Sequence, residues 1–277
     1  MNRNNSLENN KGFVAGTLVY TDKGLVPIQD IKVGDRVLSS PEQGDGSVRE
    51  YKRVVHTFKA EAEEIYELII RITVNPDLEY VEDDILRNIY EILYLTGGHP
   101  VFVGSGVLVE GWDDEKDIDQ INARSGTWQA ARDLKLYDQI IVSNPKHGNG
   151  SGYEVVSIAP VQDVNRDYGF INAATGDDNK PFDTVVYFSE NSYQIVGGNI
   201  NEGRTIKRHS FIGPYTHARY PDNSEVIKDF RENYQKVAIS VRGHISDIPT
   251  LCRPVYNFEV EDFHTYFVGE QGLWIHT

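Results

Sequence analysis

The sequence is short of sulfur and of positive charge. It has one cysteine, Cys252, and one methionine in 277 residues. A single thiol excludes an internal disulfide framework and a cysteine-built zinc site. Lysine and arginine number 27 against 42 aspartates and glutamates, a formal net charge of −15 at pH 7. That balance argues against a general nucleic-acid binder, which needs clustered cations for its phosphate contacts. The one short basic run, R-T-I-K-R-H at 204–209, reads as a solvated strand or loop. No apolar run approaches the roughly 18 residues of a membrane span. The opening, M-N-R-N-N-S-L-E-N-N, has no apolar core and is not a signal peptide. Residues 1–11 are expected to be a disordered lead-in.

Aromatic and β-branched residues are plentiful. The 16 Tyr, 11 Phe and 3 Trp suffice for a sizeable core, and the length corresponds to one or two domains. Short runs rich in Val, Ile, Tyr and Phe recur along the chain: G-T-L-V-Y-T, D-R-V-L-S, R-V-V-H-T-F, E-I-Y-E-L-I-I-R-I, P-V-F-V, Y-E-V-V-S-I and V-Y-N-F-E-V. They are bounded by Gly, Asp, Asn and Pro, the punctuation of β-strands. The best helical candidate is S-E-V-I-K-D-F-R-E-N at 224–233, with Ser224 as N-cap. The expected class is all-β.

A degenerate internal repeat organises these runs. D-I-K-V-G-D-R-V-L-S aligns with D-L-K-L-Y-D-Q-I-I-V-S, so that Asp35 corresponds to Asp138. Further along, Tyr51 aligns with Tyr153, Tyr66 with Tyr256, and His99-Pro-Val-Phe-Val with His264-Thr-Tyr-Phe-Val. The order is kept while the offset changes. A duplication followed by insertions gives that pattern: one insertion over 161–250 in the second half, and a shorter one between Arg71 and Leu95. Two intertwined β halves related by a pseudo-twofold are expected. The segment 161–250 contains D-T-V-V-Y-F, S-Y-Q-I-V and K-V-A-I-S-V, and it is too long for a bare loop, so it reads as a β-rich subdomain. The acidic run E-G-W-D-D-E-K-D-I-D at 110–119 lacks the spacing of a calcium-binding loop and reads as a solvated excursion. No metal or cofactor is expected.

Five stretches together resemble the Hint domain, the fold of inteins, bacterial intein-like domains and hedgehog autoprocessing domains. They are G-F-V-A-G-T-L-V-Y-T-D-K-G-L-V-P-I-Q-D-I-K-V-G-D-R-V-L-S from Gly12, T-G-G-H-P-V-F-V from Thr96, W-Q-A-A-R-D-L-K-L-Y-D from Trp128, V-Y-N-F-E-V-E-D-F-H-T-Y-F-V from Val255, and the closing G-L-W-I-H-T. With their linkers they span about two thirds of the chain. The resemblance is nearest to bacterial intein-like domains of secreted toxin proteins. It implies a Hint domain formed by 12–160 and 251–277 around the inserted 161–250, which carries no homing-endonuclease motif. It also implies that the partners are the chain's own flanking peptide segments; a protein partner through 161–250 belongs to the non-catalytic alternative, and from charge and apolar runs neither nucleic acid nor membrane is expected. The compartment is then cytoplasmic or that of an exported toxin assembly.

Such domains break a peptide bond in their own chain. A resonance-stabilised amide resists unassisted attack, so the family uses a nucleophile at the first residue and a T-x-x-H motif that polarises and protonates the scissile amide. Thr96 and His99 match that motif. The assisting polar position in the V-Y-D-L-like segment holds Asn257, the later histidine is His264, and the penultimate histidine is His276. In the family the last two help a terminal Asn cyclise. Two positions depart from the pattern: the nucleophile position is Gly12 and the terminal Asn position is Thr277. Gly12 has no side chain to attack with, and Thr277 has no carboxamide to cyclise. Cys252, five residues before Asn257, is expected to be a buried strand residue rather than a substitute nucleophile. Thr17 and Ser39 read as turn and strand residues, and His56, His147, His209, His217 and His244 as structural.

Three functions follow. The first is an autoprocessing domain inactive in this form. The second is a non-catalytic scaffold that presents 161–250 to a partner; a chain running from Met1 to Thr277, with almost no flank to splice, would favour it. The third is a hydrolase pairing Cys252 with a histidine.

Overall fold

In the computed structural model, residues 11–73, 90–104, 126–140, 152–165, 167–174, 181–198 and 248–277 are described. The acidic run at 110–119, the basic run at 204–209, the helix expected at 224–233 and K-V-A-I-S-V lie outside them, as do residues 1–10. Every described element is a strand or a single 3-10 turn, as the all-β composition requires. Among the described residues no helix is long and apolar enough to cross a membrane.

The sheet is built on β5 (Glu50–Thr73), one continuous strand of 24 residues. Two separate apolar runs were expected here. They join through Lys59-Ala-Glu-Ala-Glu63 because that polar bridge is paired: Ala60 lies opposite Val255 and Glu63 opposite Arg253 of β15 (Cys252–Val260). The first half of β5 pairs with β15 and β4 (Arg36–Ser39). The second half pairs with β10 (Gly152–Pro160) and β6 (Tyr90–Thr96). β1 (Phe13–Val14) lies between β15 and β6. β2 (Leu18–Thr21), β3 (Gly24–Pro27), β7 (Pro100–Gly104), β8 (Gly126–Ala130) and β9 (Gln139–Ile140) complete the sheet, together with β16 (Thr265–Val268) and β17 (Leu273–His276). A second sheet runs β11 (Gln162–Asn165), β12 (Tyr168–Ala174), β13 (Pro181–Phe188) and β14 (Tyr193–Gly198).

The repeat in the sequence is a pseudo-twofold in the hydrogen bonds. Ile28–Asp30 and Ala131–Asp133 each form one 3-10 turn. After the first, Asp35 Oδ2 accepts from the Lys32 amide at 2.9 Å; after the second, Asp138 Oδ2 accepts from the Lys135 amide at 2.8 Å. The Asp35 carbonyl then accepts from Val54 and the Asp138 carbonyl from Val155. A short side chain that bonds its own backbone three residues earlier closes a turn locally, which explains why D-[IL]-K-x-x-D survives in both halves. Replacing either Asp35 or Asp138 with Ala is expected to cost about 1 kcal/mol, the usual worth of one such bond, read as a lower denaturant midpoint at constant slope.

One alignment is corrected. The Thr17 carbonyl accepts from Ile28, and the His99 carbonyl accepts from Ala131. Thr17 bonds back to the Val14 carbonyl just as His99 bonds back to that of Thr96. V-A-G-T at 14–17 is therefore the counterpart of T-G-G-H at 96–99, and β2 that of β7. His264-Thr-Tyr-Phe-Val is not the partner of His99-Pro-Val-Phe-Val. The hairpin β16–β17 instead bridges the two halves, β16 pairing with β2 and β17 with β7. The match rested on a shared H-x-x-F-V pattern, which two unrelated buried strands also produce.

Val19, Val37, Val54, Leu68, Ile70, Val101, Val155 and Tyr266 lie in the main core. A second cluster joins the smaller sheet to the larger, with Val186, Phe188, Tyr193 and Leu251 packed against Val14, Ile65, Tyr94 and Val255. Phe102, Phe267 and Trp274 form a third. Cys252 is in β15 as expected but is exposed. It occupies the first strand position, opposite Glu64 at the solvent margin, where no apolar layer covers it.

Candidate functional site

The first part of the site is made by β1 lying against β6. Thr96, at the end of β6, takes both main-chain groups of Gly12: its Oγ1 accepts from the Gly12 amide at 3.1 Å, and its own amide donates to the Gly12 carbonyl at 2.9 Å. The His99 amide then donates to the Thr96 carbonyl, closing the T-G-G-H turn. Gly97 is needed there, because a Cβ would stand 2.7 Å from the Tyr66 ring. The turn drives the His99 ring into the interior, fully buried and edge-on to Phe13 at 4.6 Å.

Among the described residues neither ring nitrogen of His99 has a hydrogen-bond partner. Burial, reinforced by the positive charge of Lys11 and by His276, holds its pKa down at about 3. The ring is thus neutral at ordinary pH and sits beside the Gly12 junction. An unsatisfied buried imidazole costs stability, and such costs gather at functional positions.

Gly12 lacks more than a nucleophile. A Cβ built there would lie 2.8 Å from the Tyr256 carbonyl and 3.0 Å from the Val255 side chain. β15 has closed over the position where a side chain would leave the backbone. Gly12→Ala is therefore expected to destabilise by about 1–3 kcal/mol, the range for overpacking a filled site. A lower melting temperature than the parent would register it.

The second part of the site is the end of β17. Thr265 lies opposite His276 in the β16–β17 register. The Thr277 amide donates to the His264 carbonyl at 2.9 Å, and His264 itself adopts a left-handed backbone with φ of 54°. His276 Nδ1 lies 2.9 Å from the Thr277 main-chain oxygen, and its Nε2 lies 2.8 Å from Glu42 Oε2. The Trp128 ring meets the His276 ring edge-on at 5.3 Å. A groove of about 540 Å³ opens beside them, lined by Glu42, Gln43, Phe102, Thr127 and Trp128 among others. The Glu42 carboxyl is held below its ordinary value, first by the Gln43 amide and then by His276 and His264.

Asn257 is buried on β15, and its Oδ1 accepts from the Phe258 amide and from the Tyr266 hydroxyl, both at 2.8 Å. It links β15 to β16. Gly12, Thr96 and His99 therefore meet in one cluster, and His264, His276 and Thr277 in another. His276 lies within electrostatic reach of His99 and helps to lower its pKa. Thr17 and Ser39 are spent on structure: the Thr17 hydroxyl donates to the Val14 carbonyl and that of Ser39 to the Thr265 carbonyl. Sequence reasoning missed Glu42 and the contact of Trp128 with His276. No spacing signals either, because Glu42 reaches His276 only through tertiary structure. Among the described residues no cluster of three or more His, Cys, Asp or Glu could hold a metal ion.

No protein-family model and no curated protein matches the chain. Solved structures similar to it include a bacterial intein-like domain from Clostridium thermocellum, at 19% identity over 96% of this chain and 99% of that one, with a TM-score of 0.43. A DnaX mini intein from Spirulina platensis is similar at 12% identity, 96% and 99% coverage and a TM-score of 0.41. A DnaB intein from Synechocystis is similar at 10% identity, 96% and 98% coverage and a TM-score of 0.41.

Proposed function

We propose that the chain is a Hint-type self-processing domain whose two junctions are assembled but silent. The observation that carries this reading is the capture of both Gly12 main-chain groups by Thr96 beside the buried, unpartnered ring of His99. A hydroxyl on the amide hydrogen and a buried neutral imidazole beside it are parts that can hold the Lys11–Gly12 amide and offer it one N–H as a hydrogen bond during attack. The attacking atom itself is missing, because position 12 is glycine. At the other junction, His276 meets the Thr277 main-chain oxygen, a suitable place to polarise a carbonyl under attack. Thr277 has no carboxamide to make that attack.

In this reading 12–160 and 251–277 form the processing domain, 161–250 is an insertion, and the natural partners are the peptides flanking the two junctions. The insertion is more than a passenger. Its β13–β14 turn packs on the turn after β1: Gln29 Oε1 accepts from the Gly16 amide while its Nε2 donates to the Asn191 carbonyl.

The test is a chain extended by reporter peptides at both ends and incubated with and without thiol. A single intact mass is expected over days. Cleavage between Lys11 and Gly12, or after Thr277, would show that the junctions are not silent.

A further inference from the structure

The hydrogen bonds of His276 contain more than its contact with Thr277. Its two ring nitrogens face two oxygens, a Glu42 carboxylate oxygen at 2.8 Å and the Thr277 main-chain oxygen at 2.9 Å. An ionised carboxylate only accepts, and so does a main-chain oxygen. A neutral imidazole has a single N–H and can satisfy one of the two; the protonated ring has two donors and satisfies both.

We propose that Glu42 is a positioning residue of the C-terminal junction, which holds His276 as a double donor with Nδ1–H aimed at the Thr277 main-chain oxygen. This rests on the self-processing reading above and names a residue that the resemblance does not supply.

Glu42 is itself fixed on three sides. Gln43 Nε2 donates to its Oε1 at 3.1 Å, Trp128 Nε1 donates to its main-chain oxygen at 3.4 Å, and His276 occupies its Oε2. The Trp128 ring also limits rotation of the imidazole. Glu42 and His276 remain 31% and 26% exposed, so the pair is accessible to proton exchange and to substitution. The titratable groups around the ring are Glu42, His264 and His99. Glu42 is the acidic side chain among these described residues, and His99 is held neutral. Glu42 supplies the side-chain charge at Nε2, while the Thr277 main-chain oxygen faces Nδ1.

The chemical consequence concerns the main-chain carbonyl of position 277. When a nucleophile adds to that carbon, its oxygen gains negative charge, and a charged N–H already in place stabilises it. With Asn at 277, the side-chain nitrogen would bond to that carbon, the bond to the next residue would break, and the proton shed by the carboxamide would match the one gained by the departing amine. Glu42 acts through His276 and touches neither reacting atom.

The test has two readouts. Ring ¹⁵N shifts of His276, read in a chain extended by a peptide past residue 277, are expected to show both nitrogens carrying hydrogen, with one lost in Glu42→Gln and both restored in Glu42→Asp. In a chain carrying Thr277→Asn and a reporter peptide, Glu42→Gln is expected to slow release by about 10-fold, the loss of one charge-assisted bond, with Glu42→Asp recovering most of the rate. Unchanged ring shifts in Glu42→Gln would overturn the assignment. If Thr277→Asn releases nothing, the self-processing reading fails, and the ring shifts still decide the role of Glu42.

Discussion

Stability is expected to rise by a few kcal/mol when the pH is lowered from about 7 to about 4.5. Two carboxyls set this trend. Glu67 lies on β5 and Glu91 on β6; both are buried, and among the described residues neither has a cationic partner. Desolvation raises each pKa from 4.5 to about 7 in the folded chain. The opposing hydrogen bonds are few: the Tyr94 hydroxyl donates to Glu67 Oε2, and the Glu270 and Gln271 amides donate to Glu91. Between pH 4.5 and 7 the folded state therefore holds protons that the unfolded state has released, and stability falls as the pH rises through that window. Each group contributes on the order of 3 kcal/mol across it.

His99 opposes them. Its folded value of about 3 lies below the ordinary 6.5, so its contribution is complete above pH 6.5 and is lost as the pH falls toward 3. Two acids outweigh one base down to about pH 4.5, and below that stability turns downward. Urea unfolding at half-unit pH steps measures this curve. Glu67→Gln and Glu91→Gln should each flatten the upper limb. A stability that climbs from pH 4.5 to 7 in the parent would show that these carboxyls are not buried as described.

The second large effect concerns the two junctions, which are not equally easy to restore. Thr277 is half-buried at the end of β17, and its amide, not its side chain, is engaged by His264. An asparagine there finds His276 already on the main-chain oxygen. Gly12 is different: any Cβ meets the Tyr256 carbonyl at 2.8 Å, and backbone cannot rotate aside as a side chain can. Gly12→Cys therefore has to push β1 from β15 before its sulfur can be aimed at the Lys11 carbonyl. A 1 Å misplacement costs about 100-fold in a positioned reaction. Thr277→Asn is expected to bring back C-terminal release, while Gly12→Cys alone gives N-terminal cleavage at least about 100-fold slower, measured as product mass against time.

How far the sequence reaches is clearest at particular residues. Thr96 and His99 were legible because three-residue spacing across a glycine pair is a local property: a turn bonded from His99 back to Thr96 places both at one junction. The repeat around Asp35 and Asp138 was legible for the same reason, since each aspartate closes its own turn. β8 and β12 were not foreseen. G-T-W-Q-A and Y-G-F-I-N-A-A have weak strand composition and are strands because β7 and β13 pair with them. Gly126 even needs its missing side chain, which would strike the Phe102 ring. Glu67 and Glu91 look like solvent-facing positions of E-L-I-I and Y-E-I-L; only the second sheet and the 269–272 turn bury them. Glu42 has no motif at all, and its role depends on a partner near the other end of the chain.

The most direct measurement is the release of a reporter peptide placed after residue 277. It is followed by mass in the parent, in Thr277→Asn, and in Thr277→Asn with His276→Ala, each first shown to be folded. The account predicts no release in the parent, release in Thr277→Asn, and its loss when His276 is removed. A folded Thr277→Asn chain that stays intact, or one that cleaves equally well without His276, would contradict the claim that this is a silenced self-processing site.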